Sequence, residues 1–142
     1  MLQLNILIDD STKAVLCDFG LSRIKADATS RTVRTSGVTI VGSRYWMAPE
    51  QLLGGSPRKP CDIYAFGLTV YEIFANEIPL GHIDPADFLP LVVERNVRPE
   101  RPVDEDAPQL SDITWELAKK CWAKDPKRRP TATAVCDTLS YL

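Results

Sequence analysis

The residues best suited to chemistry are two oxygen-bearing side chains, Asn5 and Asp18, at the outer ends of two short apolar runs. Asp18 is followed by Phe19 and Gly20. A carboxylate that can bind a hard cation is thus followed by a ring that packs and by a residue that permits backbone torsions closed to others. Such oxygens suit Mg²⁺, which takes a few protein ligands together with water and phosphate oxygens. The alternative is that Asn5 caps a strand and Asp18 begins a turn.

Two strands would position these side chains. Residues 5–9 and 13–18 are rich in Ile, Leu and Val, and the polar residues 10–12 separate them. This pattern predicts a small β-hairpin with a polar turn. Asn5 and Asp18 would then lie near the same end of the hairpin, where they could share one cation.

Helical patterns dominate the rest of the chain. Apolar residues recur at three- and four-residue steps from Pro60 to Asn76, which predicts a largely buried helix at the centre of the core. A shorter helix is expected from Asp84 to about Glu94, with Pro90 bending it or ending it early. The fold class that we expect is therefore mainly α with a small β-hairpin.

Two more helices are predicted near the C-terminus. Ser111 can cap the first of them, and Leu110 with Trp115 has the spacing of a hydrophobic staple around that cap. The last helix would be capped by Thr131 or Thr133. The residues of that helix expected to face the core are Val135, Leu139 and Leu142.

A long polar stretch separates the hairpin from the helices. Residues 21–40 are rich in Thr and Ser and lack periodicity, which predicts a loop, and Gly42 to Glu50 then reads GSRYWMAPE. Taken in order with Asn5 and the Asp-Phe-Gly motif at 18–20, these residues resemble the second half of a eukaryotic protein kinase domain. The resemblance runs from about Asn5 to the C-terminus. The segments Cys121-Trp122, Asp125-Pro126 and Arg129-Pro130 resemble the tail of tyrosine kinases and tyrosine-kinase-like serine/threonine kinases.

The resemblance implies a protein-kinase-like C-terminal lobe without an N-terminal lobe. It gives Asn5 the place of the catalytic-loop asparagine and Asp18 that of the metal-binding aspartate, both as ligands of Mg²⁺. It implies ATP and Mg²⁺ as the cofactors of the complete enzyme, and leaves their binding by this chain alone open. The complete enzyme would move the γ-phosphoryl group of ATP to a protein hydroxyl.

The loop would be the activation segment, which begins with Phe19 and Gly20. A phosphate there would add roughly −1.5 to −2 charge and could order the loop against facing arginines. We prefer Thr39, because it lies three residues before Gly42, where the resemblance puts the regulatory phosphosite. The alternative is a solvated, hydroxyl-rich loop that is never phosphorylated. The hydroxyl residues that could carry the phosphate are Thr35, Ser36 and Thr39.

The resemblance also implies roles for residues after the loop. Ser43 matches the small hydroxyl residue that contacts the catalytic aspartate in serine/threonine kinases, so we expect it to help position the substrate. Glu50 is expected to pair with Arg129 across the fold in a structural, non-catalytic role. Asp62 either complements the helix dipole or also holds the backbone of the catalytic loop.

Several parts of a complete kinase have no match in these residues. Counted back from Asn5, the catalytic aspartate would fall one residue before Met1, and the lysine of the same loop would fall at Leu2. No glycine-rich phosphate loop or paired strand lysine is found either. We therefore interpret residues 1–142 as a partial kinase domain, inactive alone, that is either one part of a longer protein or a truncated relic. The alternative function is a catalytically dead lobe that acts as a protein-interaction module.

Composition limits the partners. The formal net charge is −2 and the sequence pI is about 5.4, which gives no electrostatic reason to expect nucleic acid or an anionic membrane. No apolar run has membrane-spanning length, and the four cysteines show no paired metal spacing. We expect a cytoplasmic protein whose partner is a protein substrate or another protein. Serine/threonine rather than tyrosine specificity is expected from Ser43 alone.

Overall fold

The structure is a computed structural model that describes residues 5–17, 44–103 and 109–141. Within these ranges helices outnumber strands, which confirms a mainly α fold with a small β-hairpin. Single turns of 3-10 helix at Arg44–Trp46 and Pro126–Arg128 and a π-helical turn at Pro90–Glu94 join the longer elements. The strands and α-helices are β1 (Ile6–Ile8), β2 (Ala14–Leu16), α1 (Pro49–Leu52), α2 (Lys59–Ala75), α3 (Asp112–Cys121) and α4 (Ala132–Leu139).

The hairpin forms as predicted. β1 and β2 pair antiparallel, with Leu7 opposite Val15 at the centre of the ladder. The carboxylate of Asp9 closes the turn, because it accepts the backbone N–H of Ser11 at 2.8 Å and that of Lys13 at 2.9 Å. The large apolar side chains that stay exposed on the hairpin are Leu7, Ile8, Val15 and Leu16.

Helix α2 is the centre of the core, as expected from the sequence. It begins one residue before Pro60, which sits in the first turn where its missing N–H leaves no carbonyl unpaired. It ends at Asn76, whose left-handed backbone (φ 52°) stops the helix. Leu68, Thr69 and Val70 are all buried, and successive helical residues point roughly 100° apart, so α2 is surrounded by protein on more than one side.

Helices α2 and α3 approach closely at a glycine. A Cβ added to Gly67 would lie 2.7 Å from the Cβ of Cys121 and 2.9 Å from the carbonyl oxygen of Ala118. Neither atom is the end of a flexible side chain, so a larger residue would force the helices apart. Gly67 therefore fixes the distance between the two helices that form most of the core.

Helix α3 starts at the predicted cap. The Ser111 hydroxyl accepts the backbone N–H of Thr114 at 3.1 Å, and the flanking Leu110 and Trp115 are both buried in one cluster. Trp115 meets Trp122 edge to face, with ring centroids 5.4 Å apart. The cap and the aromatic pair together seat α3 against α2.

The helix predicted from Asp84 to about Glu94, with Pro90 bending it or ending it early, is irregular from Pro90 onward. One α-turn forms first, with the Phe88 N–H donating to the Asp84 carbonyl at 3.0 Å, and a π-helical turn over Pro90–Glu94 follows. Pro90 has no N–H to donate to the preceding turn, so the ladder is interrupted there and the chain widens. The sequence indicated the interrupting residue but not the wider turn that results.

The last helix is capped by Thr131, whose hydroxyl accepts the Ala134 N–H at 3.2 Å. Val135 is 5% exposed and packs with Leu117 and Cys121 of α3, as expected. Leu139 is 36% exposed, so its predicted burial is wrong, because α4 lies outside α3 and buries only the side around Val135. Leu142 lies outside the described residues.

In the described part of the chain, no helix has the length and apolar character needed to cross a membrane.

Candidate functional site

The end of the hairpin at which the sequence predicts a metal site is described on one side only. The backbone N–H of Cys17 donates to the Asn5 carbonyl at 2.8 Å, so the chain enters and leaves the hairpin at the same end. Asn5 thus lies across from Cys17, the residue directly before Asp18. The side-chain oxygens of Asn5 and Asp18 are of the type that binds Mg²⁺. Among the described residues, no group of three or more His, Cys, Asp or Glu side chains could hold a metal ion.

The remaining site residues predicted in the loop region have no described structure. These residues, which lie outside the described ranges, are Asp18, Phe19, Gly20, Thr35, Ser36, Thr39 and Ser43.

The segment directly after Ser43 is anchored to α2. The indole N–H of Trp46 donates to a carboxylate oxygen of Glu72 at 3.1 Å, and both side chains are 3% exposed. Tyr45 packs edge to face on Phe88, with centroids 5.1 Å apart. Residues 44–46, which follow the predicted substrate-positioning Ser43, are therefore held by a buried polar contact and by aromatic packing.

The sequence did not predict that Glu72 is buried and bonded to Trp46. Its position in α2 gave no charge partner at helical spacing, and the Trp46 indole lies 26 residues earlier in the chain. A glutamate inside an otherwise apolar helix is the one available indication, because such a carboxylate needs a donor when it is buried.

The contact predicted between Glu50 and Arg129 is present. Arg129 Nη1 lies 2.7 Å from Glu50 Oε1 and Nη2 lies 2.9 Å from Oε2, which is a bidentate pair. The Arg129 side chain is 0% exposed and that of Glu50 is 30% exposed. Glu50 lies in the first turn of α1, directly after Pro49 at the first helical position.

Arg129 also holds three stretches of backbone. Its Nε donates to the Ala123 carbonyl at 2.8 Å, Nη1 to that of Pro60 at 2.9 Å, and Nη2 to that of Lys124 at 3.3 Å. With the two bonds to Glu50, all five guanidinium N–H groups have acceptors. The arginine thus joins α1, the start of α2 and the loop after α3.

The pair changes the protonation of its neighbours. Partial burial by itself would raise the pKa of Glu50, but the hydrogen bonds from Arg129 and others outweigh it and lower that pKa below the ordinary value of 4.5. Cys61 donates its S–H to Glu50 at 3.3 Å, and burial together with this contact raises the pKa of the Cys61 thiol. Glu50 is therefore held as a carboxylate and Cys61 as a thiol.

Asp62 lies in the first turn of α2, as predicted, with an exposed side chain. In the ranges that the structure covers, no side-chain hydrogen bond or ion pair to its carboxylate is present. Surrounding protein atoms still raise its pKa by partial desolvation. The position of Asp62 at the start of a helix agrees with its expected interaction with the helix dipole. Its other expected role, holding the backbone of the catalytic loop, stays a prediction.

Arg98 is a half-buried cation that the sequence did not reveal. Its Nε donates to the Trp122 carbonyl at 3.1 Å and its Nη1 to the Val92 carbonyl at 3.0 Å. The guanidinium carbons of Arg98 and Arg129 lie 5.3 Å and 4.9 Å from the ring centroid of Tyr64. Both arginines are thus fixed against one aromatic ring in α2.

The comparison with known families decides the identity. Residues 2–139 match the family described as protein tyrosine and serine/threonine kinase. The chain belongs to this protein kinase family. Within this kinase fold, the bidentate Glu50 and Arg129 contact joins α1 to the residues between α3 and α4.

Known kinases of several kinds are similar to the chain. A probable serine/threonine-protein kinase of Dictyostelium discoideum is 34% identical over 140 residues, which is 98% of this chain and 14% of that protein. The serine/threonine-protein kinase CTR1 of Arabidopsis thaliana is 32% identical over 97% of this chain and 16% of its own length. The dual specificity protein kinase shkA of D. discoideum is 32% identical over 97% of this chain and 25% of its own length.

This chain therefore spans a quarter or less of each of these three kinases.

Proposed function

We infer that this chain is the C-terminal part of the catalytic domain of a protein kinase that phosphorylates serine or threonine hydroxyls of protein substrates with ATP and Mg²⁺. The observation that carries the proposal is the family match over residues 2–139, which runs through every motif from the hairpin to the last helix. The serine/threonine preference is supported by the relatives named as serine/threonine kinases and by Ser43. The relative named as a dual specificity kinase keeps tyrosine as the less favoured acceptor.

Asn5 and Asp18 are the proposed holders of the metal. The hairpin supports this, because its backbone bond between Cys17 and Asn5 brings the chain back to one end just before Asp18. Bound there, Mg²⁺ would neutralise charge that develops on the phosphoryl oxygens. Asn5 and Asp18 would each contribute an oxygen that orients the cation. Separately, Thr39 is the proposed position of a regulatory phosphate.

The complete protein tests this metal role. Asp18→Ala should reduce transfer from radiolabelled ATP to a mixed protein substrate by several orders of magnitude, because charge neutralisation and positioning carry most of this catalysis. Asp10→Ala is a matched control, since Asp10 is an exposed carboxylate in the turn of the same hairpin. Equal losses in the two variants would contradict the metal role of Asp18.

Residues 1–142 alone should not turn over ATP, because the catalytic base and the nucleotide-covering part would have to come from other residues. Turnover by this chain that disappears in Asp18→Ala would overturn that expectation. Sequencing the message upstream of the Met1 codon separates the two functional classes. An in-frame catalytic aspartate preceded by a lysine-bearing strand supports the enzyme, whereas a nearby upstream stop codon favours an interaction module.

A further inference from the structure

Six exposed cations lie in three stretches of the described chain that approach one another. The residues of this basic surface are Arg58, Lys59, Arg95, Lys124, Lys127 and Arg128, all of which are exposed. Among the described residues, the ion pairs are those of Arg101, Lys119 and Arg129, so none of the six is paired with a carboxylate. Of the 19 acidic residues in the chain, only Asp62, Glu94 and Asp125 lie within three residues in sequence of one of these cations.

The contacts of two side chains bring these cations together. The Arg129 guanidinium binds the carbonyls of both Pro60 and Lys124, at 2.9 and 3.3 Å, so the start of α2 lies beside the loop after α3. Lys124 Nζ donates to the Glu94 carbonyl at 3.3 Å, which brings in the residue before Arg95. The basic surface is therefore formed by three separate stretches of chain, whose backbones are held together by the side chains of Arg129 and Lys124.

Local acids do not cancel this charge. The Asp125 carboxylate already accepts the backbone N–H of Lys127 at 2.9 Å, as the cap of the turn at Pro126–Arg128. Glu94 and Asp62 are the other nearby acids, so the six cations still outnumber the three acids beside them, on a chain whose formal net charge is −2. Charge of the opposite sign to the rest of the molecule favours a local, oriented contact over general attraction of polyanions.

The chemistry around the cations favours a peptide over a lipid surface. The exposed large apolar residues of the described chain lie in other stretches, and none falls within 58–59, 94–95 or 119–128. Proteins that lie on membranes combine basic residues with apolar side chains that enter the bilayer. Separate lysine and arginine side chains instead suit carboxylates spaced along an extended segment.

We propose that this basic surface docks a carboxylate-rich, extended segment of a partner protein. The contact would be made of exposed charges and would therefore be modest in strength and sensitive to salt. It is independent of phosphoryl transfer, because none of its six residues belongs to the proposed metal or substrate positions.

The probe is a labelled twelve-residue peptide with six Asp and Glu residues separated by Ser and Gly, measured by fluorescence anisotropy with residues 1–142. Lys127→Glu and Arg128→Glu should each weaken binding by roughly twofold to tenfold, as expected for reversal of an exposed charge. Raising NaCl from 0.1 to 1 M should nearly abolish binding, since the Debye length falls from about 10 Å to about 3 Å. A peptide with Asn and Gln in place of the acids should not bind.

Lys13→Glu is the matched control, because it makes the same charge change at an exposed position of the hairpin turn. If it weakens binding as much as Arg128→Glu does, net charge rather than this surface attracts the peptide, and the proposal fails. Absence of peptide binding would also overturn it. Vesicles of phosphatidylcholine and phosphatidylserine that displace the peptide, and whose own binding is lost in Arg128→Glu, would assign the surface to a membrane instead.

Discussion

Replacing Arg129 by Met tests whether one buried cation holds the lobe together. The change leaves the Glu50 carboxylate without its partner and removes the donors to the carbonyls of Pro60, Ala123 and Lys124. Removing one member of a buried ion pair costs about 3–5 kcal/mol. Glu50 is 30% exposed, which moderates the loss, whereas the three unpaired carbonyls add to it. We therefore expect Arg129→Met to lower the free energy of unfolding by about 3–5 kcal/mol.

Urea unfolding followed by tryptophan fluorescence measures this change directly. Trp46, Trp115 and Trp122 are all buried, so their emission reports loss of the core. For a chain of this size, the expected loss corresponds to a fall in melting temperature of roughly 6–20 °C. Arg129→Lys should recover only part of the lost stability. The compact ammonium group of lysine cannot contact all the acceptors that the planar guanidinium group reaches.

Arg101→Met provides the comparison. Arg101 also pairs with a carboxylate, that of Asp112, but the two side chains are 34% and 85% exposed. Such a pair contributes less than about 1 kcal/mol. Similar losses in the Arg101 and Arg129 variants, or a loss below 1 kcal/mol for Arg129→Met, would refute the argument that burial makes the Glu50 contact strong.

The remaining predictions concern a helix contact and a pH effect. Gly67→Ala should lower the free energy of unfolding by about 1–3 kcal/mol, although alanine favours helices, because its Cβ would meet Cys121 and Ala118. Gly54→Asn, at a left-handed position with open space, should change it by less than 1 kcal/mol. Folding lowers the pKa of Glu50 from 4.5, so the stability that the chain has over Glu50→Gln should be present above pH 4.5 and shrink as pH falls below it. A difference that grows toward acid in parallel urea titrations would contradict this sign.

The sequence predicted elements whose cause is local. The hairpin turn was predicted from the polar residues 10–12, and the structure adds that Asp9 closes it. The Ser111 cap was predicted from its own residue type, because its side chain bonds to backbone three residues away. Glu50 and Arg129 were paired by family resemblance, because no local rule connects residues that far apart. Pro90 was recognised as an interruption, but the π-helical turn depends on what packs around it.

The features that the sequence did not predict depend on packing between elements. Glu72 is buried and Arg98 is half-buried, and their partners could not be predicted, since burial is a property of the folded chain. Leu139 shows the reverse case, because an apolar residue at helical spacing stays exposed where no element covers it. The candidate metal and phosphate positions lie mainly in residues 18–43, outside the described structure, so they remain predictions.

The guanidinium of Arg129 has a consequence for how the lobe opens. Arg129 and Glu50 are 79 residues apart, and α2 and α3 lie in the loop of chain that their contact closes. Neither α1 nor the turn before Arg129 can separate from the rest without breaking all or part of this contact. Amide hydrogens in α1 and in the residues around Arg129 should therefore exchange in one cooperative step with those of α2, rather than by independent fraying at each end.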